Sequence, residues 1–217
     1  MPFYPASISN DFESNWLAMK FIDIGFGATL VAFGLGSIAG ALITVLSLTF
    51  REFLLFLINA RVITPVRAAF SLGAVAVMLL IFFNNCIPVA LSFLYPLILG
   101  KVRWTPPMRE TTLSRLLAGF SLLTGGLLGF FNLGATLAVV AELRGPSTVI
   151  GLLATSWVHA PLEFLFVLAC VSEPLRLAVR RVRGDEIVRL LRADASLLFI
   201  SLIGLLASAA IEVFAHL

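Results

Sequence analysis

Between residues 24 and 50 the chain carries no Asp, Glu, Lys or Arg. A membrane-crossing helix needs roughly 20 consecutive apolar residues, and this run exceeds that length. Further long apolar runs with few charges lie at 68–100, 113–141, 150–179 and 195–214. Composition agrees. Only 12% of residues are charged and the mean hydropathy is +1.05, whereas a soluble domain is about 25% charged. Period-two alternation, the mark of a transmembrane barrel strand, is absent. The expected fold is all-α: a polytopic bundle of membrane helices forming one domain over 1–217, in a cell membrane.

Six hydrophobic segments are expected. The first covers 24–49, after an N-terminal segment 1–22 that lacks a signal-peptide pattern. Residues 51–66 mix charged and apolar side chains and suit an interfacial helix. The run 68–100 is interrupted by Asn84-Asn85-Cys86-Ile87-Pro88, which predicts two short helices in a tight or re-entrant hairpin. Spans at 113–141, 150–179 and 195–214 complete the set.

Basic residues set the expected orientation, because they concentrate on the cytoplasmic side. Arg51, Arg61 and Arg67 follow the first span; Lys101, Arg103, Arg109 and Arg115 follow the hairpin; Arg176, Arg180, Arg181, Arg183, Arg189 and Arg192 precede the last span. All face the cytoplasm if both termini lie outside, leaving Lys20 and Arg144 on the outer face. The basic stretch 176–194 then contacts anionic lipid headgroups, or docks a cytoplasmic partner. Trp16, Trp104 and Trp157 fall near span ends, as an aromatic belt would.

Two spans hold small-xxx-small patterns, Gly36 with Gly40 and Gly125 with Gly129. Such glycines let helix backbones touch, within one chain or across a homo-oligomer seam. Cys86 and Cys170 both lie in apolar segments and form no metal or disulfide framework.

Polar residues inside a membrane are costly and need a reason. Here they are Asn84, Asn85, Asn132, His159, Glu163 and Glu212. By depth, all fall at the outer half or the midplane. They are expected to build one outward-facing polar cavity, or to hydrogen-bond neighbouring helices and fix packing. Pro161 lacks an N–H and disfavours helix at Ala160. A helix break at 159–160 is therefore expected, with Glu163 in the first turn of the restarted helix, where a carboxylate is favoured. His159 and Glu163 could give two metal ligands, but no further ligands are visible. HExxH, G-x-S-x-G and Gly-rich phosphate loops are all absent.

Four stretches occur in a familiar order: FFNNCIPVAL at 82–91, LLTGGLLGFFNLGATL at 122–137, HAPLEFLF at 159–166 and AAIEVFAHL at 209–217. In these the chain resembles the stage II sporulation protein M family of integral membrane proteins, over about 65–217. It departs from the family in having Ala160 and Pro161 after His159, and Val171-Ser172-Glu173-Pro174 where a Gly/Ala-rich turn is usual. The resemblance implies family positions at Asn84, Asn85, His159, Glu163 and Glu212. It implies no catalytic residues and no cofactor. Members in endospore formers act with peptidoglycan-remodelling partners, as a membrane platform. The expected role is thus a non-enzymatic membrane scaffold or complex subunit with a membrane-protein partner or a second copy, and no nucleic acid. The alternatives are a small transporter or channel for an ion, proton or polar solute, and an intramembrane metal-dependent hydrolase.

Overall fold

The computed structural model describes residues 23–60, 64–101, 109–156, 159–180 and 186–214. The N-terminal segment 1–22, the three tryptophans, and Arg61, Arg103, Arg181, Arg183 and His216 lie outside the described residues.

Helix α1 (Ile24–Leu46) starts where Asp23 can cap it: Asp23 Oδ1 accepts from the Phe26 N–H at 2.9 Å. It stops at Ser47, which is extended and caps the next helix, α2 (Leu48–Ile58), through the Phe50 N–H at 3.2 Å. Helix α3 (Thr64–Leu72) follows. The stretch 51–66, expected as one interfacial helix, is helical on both sides of residues 61–63, which lie outside the described residues. Gly73, at φ +104°, turns the chain into α4 (Ala74–Lys101).

Helix α4 corrects the expected hairpin. Asn84, Asn85 and Pro88 lie inside one unbroken helix, with Pro96 further along. Pro88 has no N–H to give to the Asn84 carbonyl, but interior proline is tolerated in membrane helices where neighbours make up the loss. At 28 residues, α4 is long enough for one full crossing.

Next comes α5 (Arg109–Leu128), a π-helical segment at Gly129–Ala135, and α6 (Thr136–Arg144), which run as one long rod. Gly145, at φ +86°, ends it. Helix α7 (Pro146–Ser156) folds back along α6 with none of its residues buried. Helices α8 (His159–Val171) and α9 (Glu173–Val179) continue the return, then α10 (Ile187–Ala193) and α11 (Ala195–Phe214). Four stretches are long and apolar enough to cross a membrane: α1, α4, the α5–α6 rod and α11. The chain is a helical protein of multi-pass membrane type.

The centre of the bundle is the contact between α1 and the rod. A β carbon on Gly36 would strike the Gly126 carbonyl, and one on Gly40 the Phe130 carbonyl. One on Gly129 would strike the Phe33 carbonyl, one on Gly134 the Ser37 carbonyl, and one on Gly125 would meet Thr29. These pairs rise together in number, so α1 and the rod run parallel. Two ion pairs agree. Arg51 pairs with Glu142 at one end of the bundle, and Asp23 pairs with Arg176 at the other.

Parallel neighbours need one return crossing between them, and α4 provides it. The expected topology made these two spans antiparallel and put Asp23 and Arg176 on opposite membrane faces. Both expectations fail together, because a hairpin in place of one crossing changes the parity of everything before it.

The core lies where α8–α9 pass between the rod, α1, α4 and α11. Val167 to Ala178 are buried without interruption. Buried hydroxyls pin this region. Ser121 Oγ donates to the Val171 carbonyl at 2.6 Å and lies 3.1 Å from Thr29 Oγ1. On the outside, large apolar side chains such as Leu35, Ile38 and Val45 of α1 stay exposed. That suits a lipid-facing surface, where apolar exposure carries no penalty.

Candidate functional site

Four of the expected polar residues meet at one cavity of about 460 Å³, which Asn84, Asn85, Asn132 and Glu163 line together. Each arrives by helical periodicity. On α4, Asn84, Asn85, Pro88 and Leu91 occupy one face. On the rod, Thr124, Leu128, Asn132 and Thr136 recur every four residues on the wall. Thr124 and Thr136 were missed from sequence, although their spacing to Asn132 carried the signal. Leu54 and Leu57 of α2 line its side towards the Arg51–Glu142 end.

The π-helical segment shapes this wall. Asn132 sits at its middle, and Thr136 Oγ1 donates to the Phe131 carbonyl at 2.7 Å. A π segment inserts an extra residue per turn and frequently marks functional positions.

Glu163 is the cavity's one carboxylate. The Asn85 side chain and Glu212 both lie within electrostatic reach of it. Phe164 and Phe131 line the wall beside it. Phe164 is held by Phe33, ring centroids 5.0 Å apart. Depth follows from α11. Ser208 Oγ donates to the His159 carbonyl at 3.0 Å, and Phe166 packs on Gly204. Glu163 lies between these two levels, near the middle of the 20-residue helix α11.

Other expectations are corrected. His159 is buried against α11 and does not line the cavity; Glu212 is near Glu163 but off the wall. The helix resumes at His159, so Pro161 is its third residue and Glu163 lies past the first turn. A proline there is tolerated because the first N–H groups of a helix have no partner inside it. The expected first-turn stabilisation of Glu163 is therefore absent. Among the described residues, no group of three or more His, Cys, Asp and Glu side chains could hold a metal.

The basic stretch also divides. Arg180, Arg189 and Arg192 are exposed. Arg176 is not available to a headgroup or a docking partner. It is 4% exposed and bonded inside the bundle. Glu173 pairs with it at 1% exposure.

No family model, no curated protein and no solved structure matches the chain. The class defined by fold and site is a polytopic helical membrane protein with a polar cavity at mid-depth.

Proposed function

We propose that the cavity binds a small organic cation, and that the protein is a solute-binding membrane protein rather than an enzyme. One observation carries this reading: a lone carboxylate at mid-depth on the wall of a cavity that is otherwise amide, hydroxyl and hydrocarbon. A carboxylate there calls for a positive partner. The volume is far larger than a bare metal ion needs and falls in the range of small-molecule sites. Phe131 and Phe164 put aromatic rings on the wall, where a cation is attracted to a ring, and the apolar walls suit its carbon substituents.

Choline is a suitable probe, with neutral dimethylbutanol as its carbon isostere. Choline at a hundredfold excess over its Kd is expected to raise the melting temperature in detergent by roughly 5–10 °C. The isostere is expected to do nothing, and Glu163→Gln to abolish the choline effect. Equal stabilisation of Glu163→Gln and wild type would refute the cation site.

The second reading is the scaffold of the stage II sporulation M type. Its support is that three of the four motif stretches, at 82–91, 122–137 and 159–166, each place residues on the one cavity wall. A lipid or partner segment filling the cavity, indifferent to choline, would favour it.

Orientation follows from charge under the revised connectivity. Lys101, Arg115, Arg176, Arg180, Arg189 and Arg192 belong to the Asp23 end, against Arg51, Arg67 and Arg144 at the other. The Asp23 end is then cytoplasmic, the C-terminus outside and the cavity towards the outer face. In a Cys86→Ala, Cys170→Ala background, a cysteine at Ser147 is expected to react with an impermeant maleimide in intact cells, and one at Lys101 only after lysis. The reverse pattern would invert the topology.

A further inference from the structure

The cation site leaves unused the buried charges at the opposite end of the bundle. The Arg176 side chain is 3% exposed and joins two carboxylates. Its Nε donates to Asp23 Oδ2 at 2.8 Å; its Nη1 donates to Glu173 Oε2 and to the Ala169 carbonyl, both at 3.1 Å. The other oxygen, Glu173 Oε1, is buried with no hydrogen-bond partner, and so is Ser201 Oγ on α11. Cys170 faces both residues. A thiol is a weak hydrogen-bonding group, so Cys170 is a poor partner for Ser201. A buried carboxylate oxygen with nothing to accept from is expensive and calls for an explanation.

Position supplies one. Val167, on the cavity wall, and Glu173 are six residues apart along α8–α9, roughly 9 Å at the helical rise. Beyond Glu173 a smaller hollow of about 150 Å³ opens at the bundle end, walled by Asp23, Gly25, Arg176 and Arg180. The Arg176 cluster thus stands between the mid-depth cavity and the hollow at the bundle end, and walls the latter.

We propose that this cluster is the inner gate of a translocation path for the organic cation held at Glu163. The inference rests on the cation-site reading above. The free oxygen provides the second state. In the closed state Arg176 is shared between Asp23 on α1 and Glu173 on its own helix. When Asp23 lets go, the guanidinium fork turns onto both Glu173 oxygens as a bidentate pair. Arg176 keeps a charged partner in either state, so the exchange avoids stranding a buried charge. Asp23 also caps α1, so its release frees the start of α1 from α9. The smaller hollow then extends to Glu173 and Ser201. Two alternative pairings of one side chain form the kind of bistable element that gates need.

Proteoliposomes carrying the full chain test this by radiolabelled choline uptake, with choline stabilisation measured in parallel. Asp23→Asn weakens the closed pairing and is expected to raise uptake about fivefold. Glu173→Gln removes the second pairing and is expected to lower uptake by about the same factor, with choline still stabilising the protein. Glu173 is buried, so a second readout covers a variant that fails to fold. In a Cys86→Ala background Cys170 is the remaining cysteine. Its labelling by a charged methanethiosulfonate from the Asp23 side is expected to rise about fivefold in Asp23→Asn. Choline binding without uptake, or Cys170 labelling indifferent to Asp23→Asn, overturns the gate. Loss of choline stabilisation in wild type strikes the cation site instead, and Cys170 labelling still decides the gate.

Discussion

Replacing Gly134 by leucine is expected to destroy the folded bundle. A β carbon there would collide with the Ser37 carbonyl group. The obstacle is backbone, so no rotamer change relieves it. Helix α1 would have to separate from the rod, and the neighbouring close contacts at Gly36, Gly40, Gly125 and Gly129 would open with it. Overpacking in a core costs about 1–3 kcal/mol when side chains can yield. With two helix backbones in contact, the cost should be on the order of 4 kcal/mol or more. The measurement is the fraction of monodisperse protein in detergent and its melting temperature. Gly34→Ala is the internal control: it lies on the same helix α1, and an added β carbon there meets nothing within 4 Å. That variant should be neutral or slightly stabilising, since alanine is a better helix former. Equal effects at the two positions would show that the α1–rod contact is not what holds the bundle.

Arg176→Met should destabilise the protein by about 3–5 kcal/mol, because it leaves the buried Glu173 carboxyl with neither oxygen paired. Methionine fills most of the arginine stem's volume, so lost packing contributes little and the effect reports the charge. Arg189→Ala is the comparison. Arg189 is 79% exposed and sits 3.9 Å from Glu186, so its removal should stay within about 0.5 kcal/mol. Unfolding of the two variants and wild type in one detergent decides the matter. A small effect for Arg176→Met would mean that water already solvates the cluster, and the pair exchange proposed for the gate would lose its physical basis.

Much of the site was legible in the sequence for a simple reason. Amides and carboxylates inside apolar runs have few acceptable places, so Asn84, Asn85, Asn132 and Glu163 could be grouped by depth alone. His159 and Glu212 were grouped with them on the same ground, but depth says nothing about which way a helix is rotated. His159 is buried but stands off the cavity wall, its carbonyl accepting from Ser208 on α11. Thr124 and Thr136 escaped notice because a hydroxyl in a membrane helix usually bonds its own backbone and needs no cavity.

The hairpin failed for a different reason. Asn-Asn-Cys-Ile-Pro looks like a helix breaker in isolation. In a packed bundle the Pro88 ring and the two amides face a cavity, and the helix continues through them. The same holds for Arg176. In sequence it belongs to a basic run and reads as a headgroup contact. Only the arrival of Asp23 from a distance of 153 residues makes it a buried bridge.

The sequence by itself determined the class of protein, the approximate position of most spans and the set of polar residues that had to be explained. Those properties follow from composition and local periodicity, because a bilayer tests each segment for length and charge separately. The tertiary structure alone decided that α1 and the rod run parallel, that α4 crosses once, and that one arginine holds the far end of the bundle. These depend on which glycine meets which carbonyl and which charges end side by side. Such contacts are made between segments distant in the chain, and no local pattern encodes them.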